Sequence, residues 1–274
     1  MVIKVGLIGY GHLGQYLASK IIQDENFELI FVWNRTISTL RGKIDESLIL
    51  NNLDDFVLKN VDLIVEVAHP SITRSHGKVI LKHCNYMIGS PTALCDENLL
   101  QDLKSAATKN GLYVPSGAFW GGEDLKKMSE AGLIRSLIVT MKKHPKSLKL
   151  EGHLKEKNAM VTSGPTLLYE GCVRDVCALA PNNTNTMAAA ALAVPSLGFG
   201  NVIGRLISDP ELINYHIVEI EAFGYPKEEG SCFHVHTIRK NPAVIGEVTG
   251  EATYAAYFGS LKRAAGKGPG LHLC

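Results

Sequence analysis

Residues Ile3-Lys4-Val5-Gly6-Leu7-Ile8-Gly9-Tyr10-Gly11-His12-Leu13-Gly14 decide the fold. The run from Ile3 to Ile8 suits a buried strand, and the segment from His12 to about Gln23 suits a helix, with a glycine turn between them. Gly9 permits the tight turn, Gly11 lets backbone approach a pyrophosphate, and Gly14 allows close helix-strand packing. The helix start adds free amides and partial positive charge, so His12 and Leu13 join the three glycines as candidate cofactor contacts.

Outward from this turn, strand-like runs recur at Glu28 to Trp33, Asp62 to Val67, Asn85 to Ile88 and Leu112 to Val114. Their continuous apolar character, as in Leu63-Ile64-Val65, suits strands covered on both faces, and helix-length segments at His69 to His83 and Asp96 to Asn110 separate them. After Gly117 the rhythm changes to a helix at Gly121 to Glu130 and a strand at Ser136 to Met141. Helical stretches follow at Leu167 to Leu179 and Met187 to Val194, then strands at Val202 to Ile207, His216 to Phe223 and Cys232 to Ile238. The predicted fold class is α/β: an N-terminal Rossmann doubly wound parallel sheet with a second α+β domain carrying a mixed or antiparallel sheet. The expected boundaries are 1–118 for the NAD(P)-binding domain, 119–245 for the catalytic domain, and 246–274 for a helical segment returning to the Rossmann domain.

With 28 Lys+Arg against 27 Asp+Glu and no dense basic run, nucleic acid is excluded as an expected partner. No apolar stretch reaches the roughly 18 to 20 residues that span a bilayer, so no membrane role is expected. Six cysteines without CxxC pairs imply reduced thiols and a cytoplasmic chain. His234 and His236 share a strand face without an acid at ligand spacing in the sequence, so no metal is expected.

The second strand ends in Val32-Trp33-Asn34-Arg35-Thr36, where an acid that holds the ribose 2'-OH is usual. An acid would repel a 2'-phosphate; Arg35, with Asn34 and Thr36, can bind it, which predicts NADP in preference to NAD. Ala68, in Glu66-Val67-Ala68-His69-Pro70 at the third strand end, falls where such folds place residues beside the nicotinamide ribose; His69 reads equally as an exposed helix-start residue. The stretch Pro115 to Gly122 suits a flat nicotinamide ring or a plain inter-domain hinge. His216, at the head of an Ile/Val strand, is open to two readings, a catalytic group or a half-buried histidine.

Together these stretches resemble the L-aspartate dehydrogenase family, including its animal members described as aspartate dehydrogenase domain-containing proteins. The resemblance covers nearly the whole chain. It rests on the glycine fingerprint, Ser116-Gly117-Ala118 with Gly121-Gly122, the elements Pro181, Asn183 and Asn185, the pair Asp209-Pro210, and Asn214 with His216. It implies oxidation of L-aspartate with NAD(P)+ to an imine that water hydrolyses to oxaloacetate and ammonia. It further implies cofactor contacts at Ala118 and Asn185 and an active-site role for His216. Phe119-Trp120 departs from the small residues that bacterial members carry, which bears on substrate choice.

A neutral histidine can take a proton from the substrate ammonium or the attacking water. A dicarboxylate amino acid needs cations or donors, for which Lys142, Lys143, His144, Thr162, Ser163 and Asn214 are candidates. A homo-oligomer, with the second sheet as dimer surface, completes the expectation. The rival readings are a dehydrogenase or reductase of another small carboxylate or imine, and a non-catalytic NADP(H)-binding regulatory protein.

Overall fold

The structure, a computed structural model, describes residues 2–274. The chain divides into two compact units, the first running to Pro115 and taking in Phe258–His272 and Cys274, the second comprising Ser116–Tyr257 and Leu273.

The first unit alternates strands and helices: β1 (Ile3–Ile8), α1 (His12–Gln23), β2 (Phe27–Trp33), β3 (Leu63–Glu66), α2 (Pro70–His83), β4 (Asn85–Ile88), α3 (Glu97–Ala106) and β5 (Gly111–Val114). Strands β1 to β5 pair in parallel in the order β5-β4-β3-β1-β2. The chain therefore leaves β1 toward β2 and resumes on the other side of β1 at β3, which makes the carboxyl ends of β1 and β3 the topological switch point. Val5, Leu7, Ile8, Ile64, Val65, Met87 and Ile88 are almost wholly buried, as a sheet covered on both faces requires. Pro70 starts α2 with its missing N–H at a position that needs none, and the His69 ring accepts from Ser71 N at 3.2 Å as an N-cap.

The second unit contains α4 (Gly122–Glu130), β6 (Ser136–Lys143), α5 (Gly152–Ala159), β7 (Thr166–Cys172), α6 (Val173–Leu179), α7 (Asn185–Ala193), α8 (Gly198–Asn201), β8 (Ile203–Ser208), β9 (Tyr215–Phe223) and β10 (His234–Pro242). Its sheet order is β10-β9-β6-β8-β7, with β6 and β8 parallel and the other pairs antiparallel. One face buries Leu137, Val139, Met141, Leu206, Val218 and Ile220. Helix α7 is apolar nearly all round and correspondingly buried from Thr186 to Ala191, where Met187 Sδ meets the position that a Cβ on Gly204 would take. The opposite, open face carries alternate residues of the same strands.

Helix α9 (Glu251–Ala264) leads to β11 (Gly270–Leu273), which flanks β5. Within the first unit, Phe258 lies 6.1 Å from the Phe27 ring and Lys262 pairs with Asp24 at 2.6 Å. One expected element is corrected: residues 166–172 of the helical stretch at Leu167 to Leu179 are strand, and only Val173–Leu179 is helical. Leu167-Leu168-Tyr169 is too short an apolar run for its period to distinguish the two, and pairing with β8 decides it.

Candidate active site

In the first unit the glycine fingerprint occupies the switch point. Gly9, at φ 106°, leaves β1 so close to the end of β3 that a Cβ would stand 2.8 Å from the Val67 carbonyl carbon, and a Cβ on Gly14 would overlap the Gly9 carbonyl. A Cβ on Gly11 would meet nothing within 4 Å, so the open side of the turn lies at the residue that should admit a pyrophosphate. His12 opens α1, with Leu13 behind it, and their amides are free of intrahelical partners at this end.

Glu66, the last residue of β3, is completely buried and holds the neighbouring loops: it accepts from Ala68 N at 2.7 Å, His69 N at 2.8 Å, Ser90 N at 3.0 Å and Ser90 Oγ at 3.1 Å. Burial outweighs these donors and lifts its carboxyl to about 7. Ala68 is exposed at this end, its amide tied to Glu66, and His69 is an exposed cap.

At the end of β2, Asn34 is turned inward on its own loop, accepting from Tyr10 N at 3.4 Å and donating to Thr39 Oγ1 at 2.8 Å. Asn34 therefore braces the turn against the fingerprint. Arg35 and Thr36 are exposed, and the Arg35 side chain has no hydrogen bond or ion pair with another described residue. The surface depression lined by Lys20, Gln23, Asp24 and Phe258 lies at the other end of α1 and includes none of these residues.

In the second unit the chemistry-bearing side chains form one row across the buried face of the sheet. Asn241 of β10 pairs with His216 of β9, Lys143 of β6 pairs with Ser208 of β8, and Ser208 pairs with Thr166 of β7. Extending the β6–β9 register by one step beyond Lys142 and Ile217 sets Lys143 across from His216. Asn241, His216, Lys143 and Ser208 are all at most 5% exposed. His216 is pushed down to about 3, first by burial and then by the Lys143 charge, so the imidazole is neutral at physiological pH. Burial alone brings the Lys143 amine down to about 7; its Nζ donates to Val248 O at 2.7 Å.

Two further elements belong to this unit. Asn185 starts α7, and its Oδ1 is buried without a hydrogen-bond partner among the described residues. Asn183, by contrast, is structural, accepting from Lys149 N at 2.8 Å and donating to Ser147 O at 3.1 Å. Ala118 and Phe119 are buried while Trp120 is exposed; Arg239 braces this segment, donating to Gly117 O at 3.1 Å with its guanidinium 6.0 Å from the Trp120 ring centroid.

Several candidates are not brought to His216. Lys142 lies on the opposite, open face because side chains alternate along β6, and it pairs there with Glu219 at 2.6 Å. Thr162 and Ser163 are exposed in the connection before β7, which stands three strands from β9, or roughly 14 Å at the usual spacing. Asn214, by contrast, stands only two residues before His216; it is exposed, and its carbonyl accepts from Ala243 N at 3.0 Å. The expectation that no acid stands near the two histidines is also corrected. The antiparallel partner strand brings Glu219 and Glu221 beside His236, with ligand atoms within 4.8 Å of one another, and His236 Nε2 lies 3.6 Å from Glu219. Lys142 shares Glu219 with this cluster. His234 stacks on Phe223 at 4.4 Å.

Residues 124–260 match the family model described as aspartate dehydrogenase, C-terminal, and residues 9–115 match that of the homoserine dehydrogenase NAD-binding domain. An aspartate dehydrogenase domain-containing protein of Xenopus tropicalis is 47% identical over 99% of this chain and 98% of its own length. The L-aspartate dehydrogenase of Methanococcoides burtonii is 31% identical over 80% of this chain and 83% of its own. The chain belongs to the aspartate dehydrogenase family. Its fold agrees: the crystal structure of aspartate dehydrogenase from Thermotoga maritima superposes with a TM-score of 0.70 at 23% identity, covering 97% of this chain and 98% of the other. This member of the aspartate dehydrogenase family is thus an NAD(P)-dependent dehydrogenase. Its Rossmann unit carries the nucleotide-binding turn and its second unit the buried row around His216.

Proposed function

We propose that the chain oxidatively deaminates L-aspartate to oxaloacetate and ammonium, with NADP+ preferred over NAD+. The observation that carries this reading is the neutral, buried His216, flanked by the Lys143 side chain and the Asn241 amide, in a protein with a dinucleotide fingerprint. The residues suit the cofactor: Gly9, Gly11, His12, Leu13 and Gly14 for the pyrophosphate, Arg35 and Thr36 for a 2'-phosphate, and the orphaned Asn185 Oδ1 and Ala118 for the nicotinamide end. Bound there, the cofactor supplies the acceptor for the hydride of the substrate Cα.

His216 accepts a proton from the substrate ammonium, since hydride loss from Cα needs a neutral amine; it releases that proton to solvent and, neutral again, accepts one from the water that adds to iminoaspartate, returning it to the departing ammonia. The sum is L-aspartate, NADP+ and water giving oxaloacetate, ammonium, NADPH and one proton. We place a homodimer contact on the open face of the second sheet, where Ile138, Ile203, Ile207, Ile217 and Ile238 lie at least partly exposed; no helix is long and apolar enough to cross a membrane among the described residues.

The test is a screen of L-amino acids for reduction of NADP+ and NAD+ by the purified protein. Reduction with L-aspartate, faster with NADP+, is expected; reduction confined to another amino acid, or none, overturns the assignment.

A further inference from the structure

The buried row of the second sheet is satisfied at one end and unsatisfied at the other. At the β7 end, Ser208 Oγ donates to Asn158 Oδ1 at 2.6 Å, and Asn158 Nδ2 donates to Pro145 O at 3.0 Å. At the β10 end, Asn241 is 2% exposed, yet neither its Oδ1 nor its Nδ2 has a hydrogen-bond partner among the described residues. Lys143 is 4% exposed, and its only contact of this kind is with the neutral carbonyl of Val248; no carboxylate pairs with its Nζ among the described residues.

Both features are costly in a protein without a ligand. An amide left unsatisfied in the interior costs about 1–3 kcal/mol, and a buried ammonium without a counter-charge costs more. An orphaned amide and an unpaired buried ammonium on either side of one imidazole are complementary to a single chemical group, an anionic carboxylate. The ammonium supplies the charge and Asn241 Nδ2 a second donor, while Asn241 Oδ1 remains to accept from an N–H on the same molecule.

We propose that Lys143 and Asn241, flanking His216, form the site that binds a carboxylate of the substrate. The proposal rests on the amino-acid dehydrogenase reading and deepens it by naming the residues that select an acid. Asn241, not the exposed Asn214, is then the asparagine that serves the site, and Lys143, not Lys142, the lysine.

The experiment compares wild type with Asn241→Leu and Lys143→Met in three readouts: melting temperature, calorimetric binding of succinate and L-aspartate to the NADP+-loaded protein, and the KM for L-aspartate. Both substitutions remove an unsatisfied or uncompensated group, so melting temperatures equal to or above wild type are expected. Succinate affinity should fall about tenfold or more in Asn241→Leu, further in Lys143→Met, with the KM for L-aspartate rising in parallel and NADP+ affinity unchanged. Succinate and L-aspartate affinities within twofold of wild type in both variants, or no saturable binding of either acid by wild type, overturn the proposal. The two readings separate cleanly. Loss of succinate binding in variants of a protein that never turns over L-aspartate leaves the carboxylate site standing and removes the activity. Turnover that is unaffected in both variants does the reverse.

Discussion

Lys143 stands beside His216 in one buried row, and its charge is the second cause, after burial, that keeps the imidazole neutral. Removing that charge should make His216 easier to protonate. In wild type the His216 ring should show no protonation step between pH 5 and 8 by NMR of ring-labelled histidine; in Lys143→Met its midpoint should move upward from about 3. An unchanged midpoint would dissociate the two residues.

The same lysine makes stability depend on pH. Its folded value of about 7 lies below the ordinary 10.5, so its contribution is present above pH 10.5 and is lost as pH falls through 7, where the buried amine must take up a proton. Lys143→Met should therefore melt several degrees above wild type at pH 6, with the gap closing toward pH 10.5. A gap independent of pH contradicts the titration.

Glu66 has the opposite sign. Raised from 4.5 to about 7, its contribution is complete below pH 4.5 and lost as pH rises through 7. In Glu66→Gln one oxygen can still accept from Ala68 N and His69 N, but the new NH2 faces the Ser90 amide, donor against donor, at a cost of about 1–3 kcal/mol. The deficit in melting temperature should be largest near pH 4.5 and smaller at pH 8. The KM for cofactor should rise, because these amides shape the loop against Gly9.

Arg35 is exposed at the β2 end, with no hydrogen bond or ion pair from its side chain among the described residues, so its replacement should leave stability alone. Arg35→Ala should raise the KM for NADP+ about tenfold, the loss of one charge-assisted contact, and change that for NAD+ little. Equal effects on both cofactors would reassign Arg35.

The first unit was legible from residues because its signals are local. The strand-turn-helix around Gly9 and the unbroken apolar runs each lie within a few residues, and β4 falls on the expected Asn85–Ile88. The second site was legible only in part, because it is assembled by register between distant strands. His216 could be singled out, but Asn241 sits 25 positions away at the end of a polar strand, where Asn-Pro reads as a turn, and only pairing of β9 with β10 brings it alongside. Lys142 and Lys143 are indistinguishable in sequence; the alternation of β6 sends one to an ion pair with Glu219 and the other into the row. Edge strands such as β7 and β11 left no periodic signal long enough to read.

The assignment of proton transfer in the oxidation of L-aspartate falls on His216. Its most direct test is the turnover number for L-aspartate-dependent NADP+ reduction by wild type and His216→Ala, measured alongside melting temperature and NADP+ affinity. Turnover should fall about a hundredfold or more with fold and cofactor binding intact; near-normal turnover in His216→Ala would contradict that role.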